Sequence, residues 1–101
     1  MGFNRHDIYQ VSQTGASTAL GAASAGGTLP TNSAGNTARY VRMATTTGAY
    51  VRVGNGAQTA VNTDLLVLPG QAIVLDCSGC THYAGLQAAT GGVLVVTPVE
   101  V

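Results

Sequence analysis

The sequence predicts an all-β fold: a small antiparallel β-sandwich or barrel of six to seven short strands, preceded by an extended N-terminal arm. Three observations carry this. Residues 39–101 are dense in Val, Leu and Thr, and their short runs alternate apolar with polar side chains, the period-2 mark of half-buried strands. Gly- and Pro-containing turn signals separate these runs at regular intervals, as in sandwiches and small barrels. Residues 14–37, TGASTALGAASAGGTLPTNSAGNT, hold no charge, no aromatic ring and only two large apolar side chains, Leu20 and Leu29. Such a stretch cannot build a core of its own.

In chain order, residues 1–13 carry a local apolar set, Phe3, Ile8, Tyr9 and Val11. They read either as a disordered terminus or as an anchor strand that adds to a neighbour's sheet edge. Residues 14–37 read as extended and irregular, because Gly15, Gly21, Gly26 and Gly27 interrupt any Ala-based helix at up to about 1 kcal/mol for each interior glycine. Leu29 precedes Pro30, which favours extended backbone. Residues 1–38 are therefore expected to form an arm ordered by partner chains, and residues 39–101 a module that folds without it.

Within the module, residues 39–45 place Arg39, Val41 and Met43 on one face and Tyr40, Arg42 and Ala44 on the other. Thr46-Thr47-Gly48 turns the chain into residues 49–53, where Tyr50 and Arg52 oppose Ala49, Val51 and Val53. Gly54-Asn55-Gly56 is a turn, and residues 57–61 are a short strand or an irregular edge. Leu65-Leu66-Val67-Leu68 is an apolar run of buried-strand length. Pro69-Gly70 turns into a strand at 71–76. A tight connection at 77–80 leads to a strand at 81–88, and Thr90-Gly91-Gly92 to a last strand at 93–96 before Pro98. No connection is long enough for a crossover helix, which excludes a parallel sheet.

Composition narrows the functional classes. The 101 residues allow one domain. Lys+Arg total 4 and Asp+Glu total 4, for a formal net charge of zero. That leaves no basic patch for nucleic acid and no polybasic stretch for a membrane surface. No apolar run approaches the roughly 18 residues of a spanning helix, and residues 1–10 lack the apolar core of a signal peptide. The chain is expected to be made and used in a reducing cytoplasm. A small, charge-poor module without a disulfide framework is marginal alone, and oligomerisation is a common remedy.

Few residues suggest chemistry. Cys77-Ser78-Gly79-Cys80-Thr81-His82 could offer two thiolates and an imidazole to zinc, but a zinc ribbon normally shows two such pairs. A redox C-x-x-C normally opens a helix in a βαβ setting, which this chain lacks. Two reduced thiols flanking a turn is the expected state, and no cofactor is expected. His6 and Asp7 lie in a terminal segment, the acidic residues show no paired spacing, and the serines of the arm sit on no nucleophile elbow. An enzyme is not expected. The near-repeat Tyr40-Val41-Arg42 and Tyr50-Val51-Arg52 is the better candidate. On a hairpin these Tyr and Arg side chains would share one face, stack as cation–π pairs, and offer residue types favoured at interfaces. A solvated outer face is the competing reading.

Three blocks carry a resemblance: ARYVRMATTTGAYVRVGNG at 38–56, TDLLVLPG at 63–70, and THYAGLQA followed by GGVLVVTP at 81–98. Together they resemble small virion structural proteins of tailed bacteriophages. The resemblance implies a non-enzymatic β-sandwich present in many copies on a particle, located in the virion after synthesis in the bacterial host cytoplasm. It favours a capsid decoration (cement) protein that binds between major capsid subunits and stabilises the head, as a homo-oligomer with a trimer favoured. A neck, tail or fibre-attachment protein is the alternative, and a ligand- or carbohydrate-binding β module a more distant one. The expected partners are the major capsid protein or other virion proteins, and the expected partner-binding residues are Phe3, Ile8, Tyr9, Leu20, Leu29, Tyr40, Arg42, Tyr50 and Arg52.

Overall fold

A computed structural model describes residues 14–100, which form eight antiparallel strands and no helix. The strands are β1 (Ala16–Ala19), β2 (Ala25–Thr28), β3 (Tyr40–Thr45), β4 (Ala49–Gly54), β5 (Leu65–Val67), β6 (Ala72–Asp76), β7 (His82–Gln87) and β8 (Val93–Val99). They build two four-stranded sheets packed as a sandwich. Sheet 1 has the order β1-β8-β3-β6 and sheet 2 the order β2-β7-β4-β5.

The alternation in the sequence becomes the core. Val41, Met43 and Thr45 of β3, Val51 of β4, Val67 of β5, Tyr83 of β7, and Leu94 and Val96 of β8 all point between the sheets and are buried. β8 runs on to Val99 through Pro98. Among the described residues β1 pairs with β8 only as far as Val96, which leaves Pro98 with no described strand partner on that side, a position that tolerates a strand proline.

Two expectations are corrected here. The stretch 14–37 is not an irregular arm outside the module, and the boundary expected at residue 38 falls inside the sandwich. β1 pairs with β8 in the register Ala16↔Val96, and β2 pairs with β7 in the register Ala25↔Gly85. These strands are made of small residues because the core under them is supplied from elsewhere. The Tyr83 ring fills the space beside Gly27, and its hydroxyl bonds Thr18 Oγ1 at 2.6 Å, tying sheet 2 to sheet 1. Gly26 is required by close approach, since a Cβ there would overlap the Tyr83 carbonyl oxygen and stand 2.7 Å from Ala84 Cα. The large residue following each strand, Leu20 and Leu29, turns into the core at 7% and 2% exposure. Their amides donate to Gly92 O and Thr81 O.

The second correction concerns Thr46-Thr47-Gly48. It does not join a hairpin, because β3 lies in sheet 1 and β4 in sheet 2. Both strands turn their apolar faces inward, so the link crosses the core as an arch. The link at 88–92 between β7 and β8 crosses beside it, and the two brace each other: Thr46 N donates to Val93 O, Val93 N to Thr46 Oγ1, and Thr47 Oγ1 to Thr90 O. Residues 57–61 form no strand.

Candidate contact surface

The sandwich has two outer faces, and the structure distributes the sequence-predicted residues over both. Tyr40 and Arg42 lie on the outer face of sheet 1, and Tyr50 and Arg52 on the outer face of sheet 2. The single Tyr/Arg face expected from a hairpin does not exist. Leu20 and Leu29 sit in the core, unavailable to a partner. Phe3, Ile8 and Tyr9 lie outside the described residues.

The outer face of sheet 2 is covered by the connection between β4 and β5, residues 55–64. It begins at Gly56, whose φ of 83° suits glycine and whose amide donates to Thr81 Oγ1 at 2.8 Å. Arg52 Nη1 donates to Thr59 O at 3.2 Å, and Ala60 N donates to Ser24 Oγ at 2.8 Å. The loop thus runs from β4 across β7 to the start of β2. Beneath it Ala84, an outward position, is fully buried, and Ala60 is 3% exposed. Asp64 closes the loop by accepting from Val61 N at 2.8 Å and pairing with Arg52 Nε at 3.3 Å.

Among the described residues no loop lies across the centre of sheet 1's outer face, where Arg42, Val93 and Val95 are exposed. By register, Val95 stands between Ser17 of β1 and Ala44 of β3, and Ala44 beside Ala72 of β6. Arg42 stands between Thr97 and Val74. Val93 and Val95 are 39% and 40% exposed. Antiparallel sandwiches normally turn polar residues outward, so this face is unusually apolar. Its one central charge is Arg42, which is exposed and forms no ion pair among the described residues. At its rim Arg39 stacks on its neighbour Tyr40, 5.2 Å from the ring centre, and reaches Asp76 at 3.9 Å. A second apolar group lies around β5, where Val61, Leu65, Leu66 and Leu68 are all at least 40% exposed. The sequence carried a signal for both patches. In VLVV and LLVL the residues of both parities are apolar, so a strand cannot hide them all in one core.

The Cys77–Cys80 segment is a tight turn. Cys80 N donates to Cys77 O at 2.9 Å, and only Gly79 has positive φ, 77°, the pattern of a type II turn. Both cysteines are free thiols, Cys77 buried and Cys80 half-buried. Burial pushes the Cys77 thiol up to about 11 from an ordinary 9.0, and Cys80 and Asp76 add to the shift. A thiol held protonated in this way is a poor nucleophile. Asp76 is held below the usual carboxylate range, first by the Ser78 hydroxyl and amide and then by Arg39. His82 Nδ1 shares a 2.8 Å hydrogen bond with Thr81 Oγ1. Among the described residues no three His, Cys, Asp or Glu side chains are grouped to hold a metal ion. The depression beside this turn, about 450 Å³, is open and lined by Asn36, Arg39, Asn55 and the turn itself.

No family model, curated protein or solved structure matches this chain.

Proposed function

We propose that this protein is a structural virion protein of a tailed phage, acting as a decoration (cement) protein that binds between major capsid subunits and stabilises the head. The observation that carries the reading is the bare outer face of sheet 1, an apolar and nearly charge-free surface on a small sandwich. Flat apolar patches of this kind mark protein interaction sites. The resemblance read in the sequence supports it as well, and its three blocks fall on β3, β4, β5, β7 and β8, leaving out β6.

The anchor in this reading is shorter than the sequence suggests. Residues 14–37 contribute β1 and β2, which leaves residues 1–13, with Phe3, Ile8 and Tyr9, as the segment that can reach a neighbour. Many weak contacts on a repeating lattice act together, so neither the face nor the segment needs high affinity alone. Homo-oligomers, a trimer first, belong to the same proposal.

The test is the copy number of this chain in purified particles, by quantitative mass spectrometry against the major capsid protein. A simple ratio to the capsid subunit is expected. A count on the order of a dozen would place the protein in the neck or tail, the alternative reading. Absence from particles would overturn the virion reading.

A further inference from the structure

Among the described residues the charges pair off almost completely. Asp64 is held by Arg52, Asp76 by Arg39 and Ser78, and Glu100 by Ser33. Of the three described arginines, Arg42 alone has no acidic partner, and it stands on the bare face between Thr97 and Val74, one step along the same face from Ala44 and Val95. Outside the described residues the sequence holds one acidic side chain, Asp7, set between His6 and the apolar pair Ile8-Tyr9, and one arginine, Arg5. The face lacks a carboxylate and an apolar cover, and residues 3–11 contain both.

We infer that the outer face of sheet 1 receives residues 3–11 of a neighbouring copy of this chain, with Asp7 on Arg42 and the apolar side chains of the segment over Val93 and Val95. The inference deepens the assembly proposed above and rests on that part of it alone. Length is sufficient. Nine extended residues span roughly 30 Å, while four strands about 4.8 Å apart make a sheet only ~15 Å wide. Direction favours the neighbour over the molecule itself. Ala16 pairs with Val96 and Ala19 with Val93, so β1 points the preceding chain off the Val99 end of the sheet, away from Val93 and Val95. The contact joins unlike surfaces, a segment and a face, and so propagates around a ring or along a lattice.

The experiment uses the full-length protein and exchanges the two charges. Molar mass by light scattering is measured over a concentration series for the wild type, Asp7→Arg, Arg42→Glu and the double variant, with circular dichroism confirming the fold of each. Wild type is expected to self-associate. Each single reversal opposes like charges and should weaken association by about tenfold or more, and the double variant should recover it to within about threefold. Val95→Ser, which touches no charge, should also weaken association. A monomeric wild type at all concentrations would overturn the inference and leave the particle copy number free to support or reject the virion reading. Single reversals without recovery in the double variant would overturn the Asp7–Arg42 contact. Charge coupling seen as a shift in melting temperature of a protein that stays monomeric would place the segment on its own face and overturn the neighbouring copy.

Discussion

The two outer faces of this sandwich start from similar strands and end differently. Each presents one arginine on a central strand, Arg52 on β4 and Arg42 on β3. On sheet 2 the ten-residue connection from β4 to β5 folds back over the strands, and Arg52 is consumed in holding it through Thr59 O and Asp64. On sheet 1 the longest connection, the eleven residues from β2 to β3, closes on itself through the Thr31↔Thr37 bridge instead of returning over the strands, and Arg42 and the valines beside it remain exposed among the described residues. The difference teaches that residue type does not make an interface residue. Tyr-Val-Arg occurs twice, and the connection that follows decides whether its arginine serves the fold or is left for a partner.

The sharpest way to break this contrast is along β8, where neighbours face opposite ways. Leu94 is fully buried and Val95 faces out. Leu94→Ala should lose about 2–5 kcal/mol of stability in urea unfolding, and Leu29→Ala a similar amount, because its side chain is equally part of the core. Val95→Ser should stay within about 0.5 kcal/mol for the unassociated protein. A mild Leu29→Ala would return residues 14–37 to an external arm.

The arginines give the next effect. Arg52→Ala should cost about 1 kcal/mol, a surface-pair magnitude raised slightly by the bond to Thr59, and hydrogen exchange should rise across 55–64. Arg42→Ala should leave unfolding unchanged. Equal effects would erase the distinction between the two faces.

A comparable gain is expected inside the sandwich. Thr45 is buried and its hydroxyl has no hydrogen-bond partner. Thr45→Val keeps the shape and removes the unsatisfied group, which should add about 1 kcal/mol and raise the melting temperature by roughly 4–8 °C.

The last effect is read from pH. The folded state holds the Cys77 proton from an ordinary 9.0 up to about 11. The folded protein therefore binds more protons than the unfolded chain across that window, and stability falls as pH rises through it. Cys77→Ala should flatten this alkaline decline relative to wild type in melting curves taken between these limits. Identical slopes would show that Cys77 ionises freely.

Much of the fold was legible because alternation reports burial directly. Val41-Met43-Thr45, Val51 and Leu94-Val96 face inward as their period demands. Alternation does not report which strands pair. A three-residue link such as Thr46-Thr47-Gly48 serves a hairpin or an arch, and the choice here is fixed by bonds to Val93 and Thr90, more than forty residues away. β1 and β2 were hidden for a related reason. Ala, Ser and Gly give no local strand signal, the single Thr in each strand is too little to supply one, and their packing depends on Tyr83 arriving from β7. The bare face was readable only in part. The sequence showed Arg42 and the doubly apolar VLVV, but not that Arg52 would be engaged by its own loop.

The alternation of the chain between the sheets has a consequence for its birth on the ribosome. Only β4 and β5 are consecutive strands that also lie side by side; every other neighbour in either sheet comes from far along the chain. The first described strand pairs with the last, and β8 occupies the middle of sheet 1. A nascent chain ending before Val93 has no partner for β1 and no bridge from β1 to β3, so sheet 1 cannot be completed until β8 has been made. Once β8 is present, the fold should close at the millisecond-to-second pace of long-range β pairing. Until then the valines of β8 and the leucines of β5 stay open to solvent and to chaperones.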